Sequence, residues 1–259
     1  MKQLIIFGLL FFCACNSDNS KKTNLSAESK STSKKESQLS ADKSFMDFFE
    51  TFMWDKNFQK SRINFPITIE DDMIIIDKSK WKHIPFYSSE EYYPILHFDT
   101  TTYFEKDIKT SNVGLIIANF KTKKITKYCF EKKINKWFLT GMEKQSIEKI
   151  PDLDFISFIK EYSQDTAFQK KHTQFPLTKL FSDPDKDYEI TQTTITKEKW
   201  ENFNIIKGIK NLMILTNTEK SNKYRNIYFR GVENGILVKY TFEKKNGEWM
   251  FIKLEDYSD

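Results

Sequence analysis

The chain has 259 residues, with 41 Lys or Arg against 36 Asp or Glu and a formal net charge of +5. The two signs are mingled along the whole length and no dense basic stripe interleaves with aromatics, so nucleic acid is not an expected partner. Three histidines and seven glycines leave little material for metal or nucleotide chemistry. His83, His97 and His172 form no metal-ligand pair, and neither a phosphate-binding glycine loop nor a nucleophile elbow occurs. No cofactor and no metal are expected.

Lys2 precedes an apolar run from Leu4 to Ala14, far shorter than the roughly 20 residues that span a bilayer. Residues 1–14 therefore read as a signal peptide. The run ends Phe12-Cys13-Ala14-Cys15 and turns abruptly polar at Asn16-Ser17-Asp18. That junction resembles a bacterial lipobox, which implies cleavage before Cys15 and acylation of Cys15, several chains together giving a stable membrane anchor. Ordinary secretion with an incidental cysteine is the alternative. Residues 15–43 carry almost no large apolar side chain and read as a disordered tether, because they cannot bury enough surface to offset the entropy of ordering. Once Cys13 is removed and Cys15 acylated, Cys129 is the remaining thiol, so no intramolecular disulfide is expected.

Ser44 to Thr68 then occurs a second time, 110 positions later, as Asp154 to Thr178. Phe45, Phe48, Asp55, Phe58, Gln59, Lys60, Phe65, Pro66 and Thr68 recur as Phe155, Phe158, Asp165, Phe168, Gln169, Lys170, Phe175, Pro176 and Thr178. Such a match reads as a duplication. Phe45, Phe48, Phe49 and Phe52 follow the i, i+3, i+4, i+7 spacing of one helix face, as do Phe155, Phe158, Ile159 and Tyr162. Ser44 with Asp47 resembles a capping box, and Pro151-Asp152 signals the second start. Pro66 and Pro176 close each helical stretch.

Strands are expected at 67–69, 73–77, 113–120, 125–130 and 136–140, then at 188–195, 212–217, 226–230, 236–242 and 248–254, from their β-branched and aromatic runs. Lys127 to Lys133 matches Lys239 to Lys245, and Trp137 matches Trp249, so each copy ends in a hairpin. The offset between copies rises to 119 at Trp81/Trp200 and falls to 112 at Tyr128/Tyr240. Copy two thus carries nine extra residues, including Asp183 to Asp187, and copy one carries seven, assigned to a loop within or near His83 to Pro94. Asp183, Asp185 and Asp187 are spaced as in a calcium loop, but Tyr188 and Thr194 stand where that loop has glycine and glutamate. A solvated acidic loop is expected there.

The pattern F-x-x-F, D-x-x-F-Q, F-P, W, then Y-x-F-E-K-K with a following W, resembles a Bacteroidota lipoprotein family of unknown function built from nuclear transport factor 2-like, cystatin-related units. The resemblance implies an α+β fold with two tandem nuclear transport factor 2-like/cystatin-like units, 44–147 and 148–259. Each would be an N-terminal helix packed on a curved antiparallel sheet, leaving a cone-shaped pocket. It also implies an outer-membrane lipoprotein, on the periplasmic side or at the cell surface.

The candidate ligand-binding residues are Asp55, Gln59, Arg62, Trp81 and Tyr92 in copy one, and Asp165, Gln169, His172 and Trp200 in copy two. Asp55/Asp165 and Gln59/Gln169 are read two ways: as acid–base groups inside a cone, or as backbone hydrogen-bonding groups where helix gives way to strand. Trp81 and Trp200 read as core or pocket wall. Phe86, Tyr87, Tyr92 and Tyr93 read as stacking surfaces for sugar or peptide, or as cover for the sheet. His172 replaces Arg62, so the two copies need not share a role at that position. The expected function is a non-enzymatic lipoprotein, held to the lipid membrane by its acylated N-terminus, that binds a small ligand, glycan or envelope protein. A hydrolase or isomerase using a cone carboxylate, and a structural spacer, are the alternatives.

Overall fold

The computed structural model describes residues 42–69, 73–87, 91–98, 111–200, 209–216 and 221–258. Cys15, the signal peptide and nearly all of the tether lie outside them. Residues 40–259 form one compact unit.

Helix α1 (Phe45–Trp54) starts at Ser44, whose hydroxyl accepts from Asp47 N at 3.1 Å. Its repeated phenylalanines are all buried: Phe45, Phe48, Phe49 and Phe52 are at most 1% exposed. The chain turns extended at Asp55 and re-enters helix as α2 (Lys56–Ser61). Strands β1 (Ile67–Ile69), β2 (Ile74–Ile76), β3 (Tyr92–His97), β4 (Asn112–Asn119), β5 (Lys124–Lys133) and β6 (Lys136–Ser146) follow. A 3-10 turn at Ile147–Lys149 leads to α3 (Leu153–Gln164) and α4 (Thr166–Lys171). Then come β7 (Thr173–Asp183), a 3-10 turn at Pro184–Lys186, β8 (Glu189–Ile195), β9 (Asn211–Thr216), β10 (Tyr224–Gly231), β11 (Leu237–Lys245) and β12 (Glu248–Asp256).

The twelve strands among the described residues join one sheet, in the order β2-β1-β6-β5-β4-β9-β3-β10-β11-β12-β7-β8. The expected arrangement of two units, each with its own sheet, differs from this at the centre. Strand β3 of the first half pairs antiparallel with β10 of the second, and β9 of the second pairs antiparallel with β4 of the first. The two exchanged strands lie side by side in parallel, Ile95 opposite Met213 and Leu96 opposite Ile214.

Because side chains alternate faces along a strand, this centre is buried on both sides. Tyr93 and Ile95 join the core under α1, together with Met213, Leu215 and Tyr228 from the second half. Leu96, Ile116, Ala118 and Ile125 of the first half join the other core, with Phe155, Ile159 and Tyr162 of α3. Each buried aliphatic or aromatic chain contributes roughly 1.5–3 kcal/mol. Six or seven such exchanged side chains reach the roughly 5–15 kcal/mol that stabilises a typical domain. Neither half therefore has a complete core of its own.

Two local expectations change and a third holds. The start of β3 was expected as loop, since the extra residues of copy one were assigned within or near His83 to Pro94, and a proline inside a strand is uncommon. Pro94 is tolerated because the β3–β9 ladder uses only Ile95 and Leu96. With β3 matched to β9, the seven-residue difference falls between His97 and Asn112 against Thr216 and Tyr224, not within 83–94. The nine extra residues of the second half lengthen the β7–β8 hairpin: Ile67 faces Ile76 in the first half, and Leu177 faces Ile195 in the second.

Candidate functional site

The polar residues nominated from the sequence are built into the frame. Asp55 accepts from Asn57 N at 2.8 Å and Phe58 N at 2.9 Å, and Asp165 accepts from Ala167 N at 2.7 Å and Phe168 N at 3.0 Å. Each caps the short helix that follows it, satisfying backbone donors that lack a helical partner. Gln59 is fully buried, and its amide makes four bonds. It donates to Phe52 O (2.9 Å) and Ile84 O (2.8 Å), and accepts from Ile84 N (2.9 Å) and the Trp81 indole (3.1 Å). The pair Gln59–Trp81 thus ties the end of α1 to the segment before β3. Gln169 likewise donates to Tyr162 O. The Trp200 indole N–H has no hydrogen-bond partner among the described residues, and its ring packs 5.4 Å from Phe251.

Arg62 and His172 reveal a relocated ion pair. The buried Arg62 guanidinium holds both carboxylate oxygens of Asp42 and lies 4.7 Å over the Phe58 ring. Asp152 occupies the place matched to Asp42, but its cation comes from β10, where Arg225 Nε donates to it. His172, freed from that task, bonds Phe168 O at 3.0 Å and lies 3.9 Å from the Phe168 ring. The carboxylate is kept in both halves, and the arginine has moved from a helix end to a strand.

The helix-covered faces are filled with rings. Phe52 meets Phe130 at 5.4 Å and Phe45 meets Trp137 at 5.1 Å under α1, while Phe155 meets Trp249 at 4.9 Å and Tyr162 meets Phe242 at 5.4 Å under α3. No nominated carboxylate points into open space beside them.

Two polar features were not legible from motifs. One lies at the sheet centre, on the side of Ile95: His97, Asn226, Tyr228, Lys239 and Glu255 are all buried there. The His97 ring packs edge-on to Tyr228 at 4.9 Å, and Lys239 pairs with Glu255 at 3.0 Å. Burial, with help from the Lys239 charge, lowers the His97 pKa to about 4, so the ring is neutral at neutral pH. Burial alone would raise the Glu255 pKa, but Lys239 and Lys253 outweigh it and hold the carboxyl below its usual range.

The other is a pocket of about 400 Å³ at the end of β4, β5, β6 and β9, within the range of about 300–1,000 Å³ typical of ligand sites. Two adjacent cross-strand rungs build its floor. One reads Asn211, Asn119, Lys124 across β9, β4 and β5, and the next reads Ile117, Thr126, Lys144 across β4, β5 and β6. Thr122 and Ile125 complete the lining, which contains no carboxylate or imidazole. Lys121 and Lys123 sit on the adjoining β4–β5 turn, and Phe120 N bonds Lys210 O at 3.0 Å, bringing a further lysine to the rim.

At the matched end of the second half, larger apolar side chains stand among the described residues. Its rungs read Tyr92, Gly231, Ile236 and Pro94, Phe229, Val238, Asp256. The half-buried Tyr92 meets Phe229 edge-on at 5.5 Å and packs with Ile236 on the second core; burial, then the Glu91 charge, raises its phenol pKa. Tyr92 therefore stands where the pocket has Asn211. At the rim the lysines 121, 144 and 210 are matched by Glu233, Asp256 and Glu91. A position-by-position comparison of the copies for charge reversal is the signal that finds this site.

Asp183, nominated for a calcium loop and then read as solvated, accepts from Asp185 N at 3.1 Å and pairs with Lys186 at 3.2 Å, capping the 3-10 turn. Cys129 is half-buried, its thiol 3.5 Å from Glu143.

No curated protein matches the chain. A crystal structure of an NTF2-like protein from Bacteroides fragilis NCTC 9343 is similar, with 26% identity, a TM-score of 0.68, and coverage of 85% of this chain and 98% of that one. The family described as a domain of unknown function, DUF4348, matches residues 24–256. The chain belongs to this family, and its mixed helix and sheet architecture is NTF2-like.

Proposed function

We propose that this protein is a non-catalytic, envelope-anchored lipoprotein that binds a small ligand in the pocket formed by β4, β5, β6 and β9. On this reading residues 44–147 and 148–259 are two copies of one NTF2-like unit, fused through their exchanged third strands, and only the first keeps an open end. The observation that carries it is the inequality of the two ends. One is a polar pocket of about 400 Å³, while the matched place is filled by Tyr92 and Phe229. Selection for folding alone gives no reason to leave the first end unfilled, because filling it would bury more apolar surface.

Acid–base catalysis has weaker support, since the pocket lining offers no group that titrates as a carboxylate or imidazole and Asp55 and Asp165 serve as helix caps. Cys15 would anchor the protein through its acyl chains, with the segment to residue 43 as tether. The binding reading is tested by titrating isotopically labelled protein with a library of small polar molecules. Amide shifts are expected to concentrate at Ile117, Asn119, Thr126 and Asn211; hits clustering elsewhere, or turnover of any library member, overturn it. Anchoring is tested by Cys15→Ala, which is expected to release the protein from the membrane fraction.

A further inference from the structure

Resting on that reading, we infer that the ligand is a polyhydroxylated anion, a small sugar carrying a phosphate or carboxylate group, with its charge held between Lys124 and Lys144. The two rungs of the floor set this polarity. Lys124 lies opposite Asn119, and Lys144 lies opposite Thr126, two residues further along β5. Strand geometry puts their backbones about 8 Å apart, from a rise of about 3.4 Å per residue and about 4.8 Å between strands. Two flexible ammonium groups at that separation have the reach to meet on one anion.

Toward β4 and β9 the same floor turns to Asn119 and Asn211, with the Thr126 hydroxyl between, a donor and acceptor set suited to hydroxyl groups. Ile117 supplies the apolar contact on which the C–H face of a ring can lie. The surrounding lysines raise the local concentration of any anion. At the matched end the corresponding positions are acidic instead, at Glu91, Glu233 and Asp256, so the lysines belong to the open pocket and not to the repeated frame.

Calorimetry and amide-shift mapping on the intact chain, with glucose 6-phosphate, glucuronate, glucose and inorganic phosphate as probes, test this. Glucose 6-phosphate or glucuronate is expected to bind with shifts at Asn119 and Asn211, and glucose to bind at least about 10-fold more weakly, as loss of a charge-assisted hydrogen bond requires. Lys124→Gln with Lys144→Gln, both at exposed positions, is expected to weaken the anion at least about 10-fold, and undiminished anion binding by this variant would overturn the charge assignment. Glucose binding as well as the anions would overturn the charge assignment while leaving the pocket reading intact. Inorganic phosphate binding as tightly as glucose 6-phosphate would overturn the sugar part. If none of the probes binds, the inference fails, and if in addition no library molecule shifts Ile117 or Asn119, the pocket reading fails with it.

Discussion

The two ends of the sheet are built from matched rungs on one frame, yet one is open, basic and polar and the other closed, acidic and aromatic. The difference teaches where this molecule tolerates change. Its cores, caps and braces recur in both halves, because each half has to close its own helix against the sheet. The rung ends, which lie beyond the packed rings, are where Asn211 and Lys144 at one end answer to Tyr92 and Asp256 at the other.

The relocated arginine sharpens that contrast most strongly. Arg62→Ala is expected to cost about 3–5 kcal/mol, since it leaves the Asp42 carboxylate buried without its cation, and Arg225→Ala should do the same to Asp152. Arg62→His, which copies the second half, should cost as much by itself. Adding Val113→Arg, at the place matched to Arg225, is expected to recover part of the loss. Urea denaturation measures all four, and equal stability of Arg62→His and wild type would show that the ion pair does not hold the first half.

A smaller effect is expected at the Gln59 brace. Gln59→Ala removes four buried hydrogen bonds and is expected to cost about 3 kcal/mol in the same denaturation experiment. His97 has Thr216 as its match in the second half, so it gives the sheet centre a titration that its counterpart lacks. Unfolded, it takes up a proton near pH 6.5; folded, it does so only near pH 4. Between those values the unfolded state binds more protons, so stability falls as pH falls, by up to about 3 kcal/mol. His97→Phe should flatten the profile across that window, with Lys239 and Glu255, the charged groups facing it, still paired. The caps come last: Asp55→Ala and Asp165→Ala are each expected to lower stability by about 1 kcal/mol, and a tenfold loss of ligand binding on either change would restore them as site residues.

The helices and most strands were legible because their signals are local. The spacing of Phe45, Phe48, Phe49 and Phe52 and the Ser44–Asp47 cap depend on neighbours a turn away. The hydrogen-bonding reading of Asp55 and Gln59 was also available, since such residues serve the backbone where a helix breaks. The strand exchange was not legible. Nothing within Tyr92 to His97 says that its partner is Tyr224 to Gly231, and Pro94 argues against a strand at all. The pocket was hidden for the same reason: Asn211 joins Asn119 and Lys124 only once β9 has crossed to β4. His97 and Lys239 likewise meet only through the β3–β10–β11 ladder.

The central claim is that one strand end, at β4, β5, β6 and β9, is kept open while the matched end is plugged, and Asn211→Tyr tests it most directly by giving the open end the residue, Tyr92, that stands at the matched place of the plugged one. With glucose 6-phosphate as probe, the variant is expected to lose the binding seen for wild type while its thermal unfolding midpoint stays unchanged. Undiminished binding by a folded Asn211→Tyr protein would contradict the account.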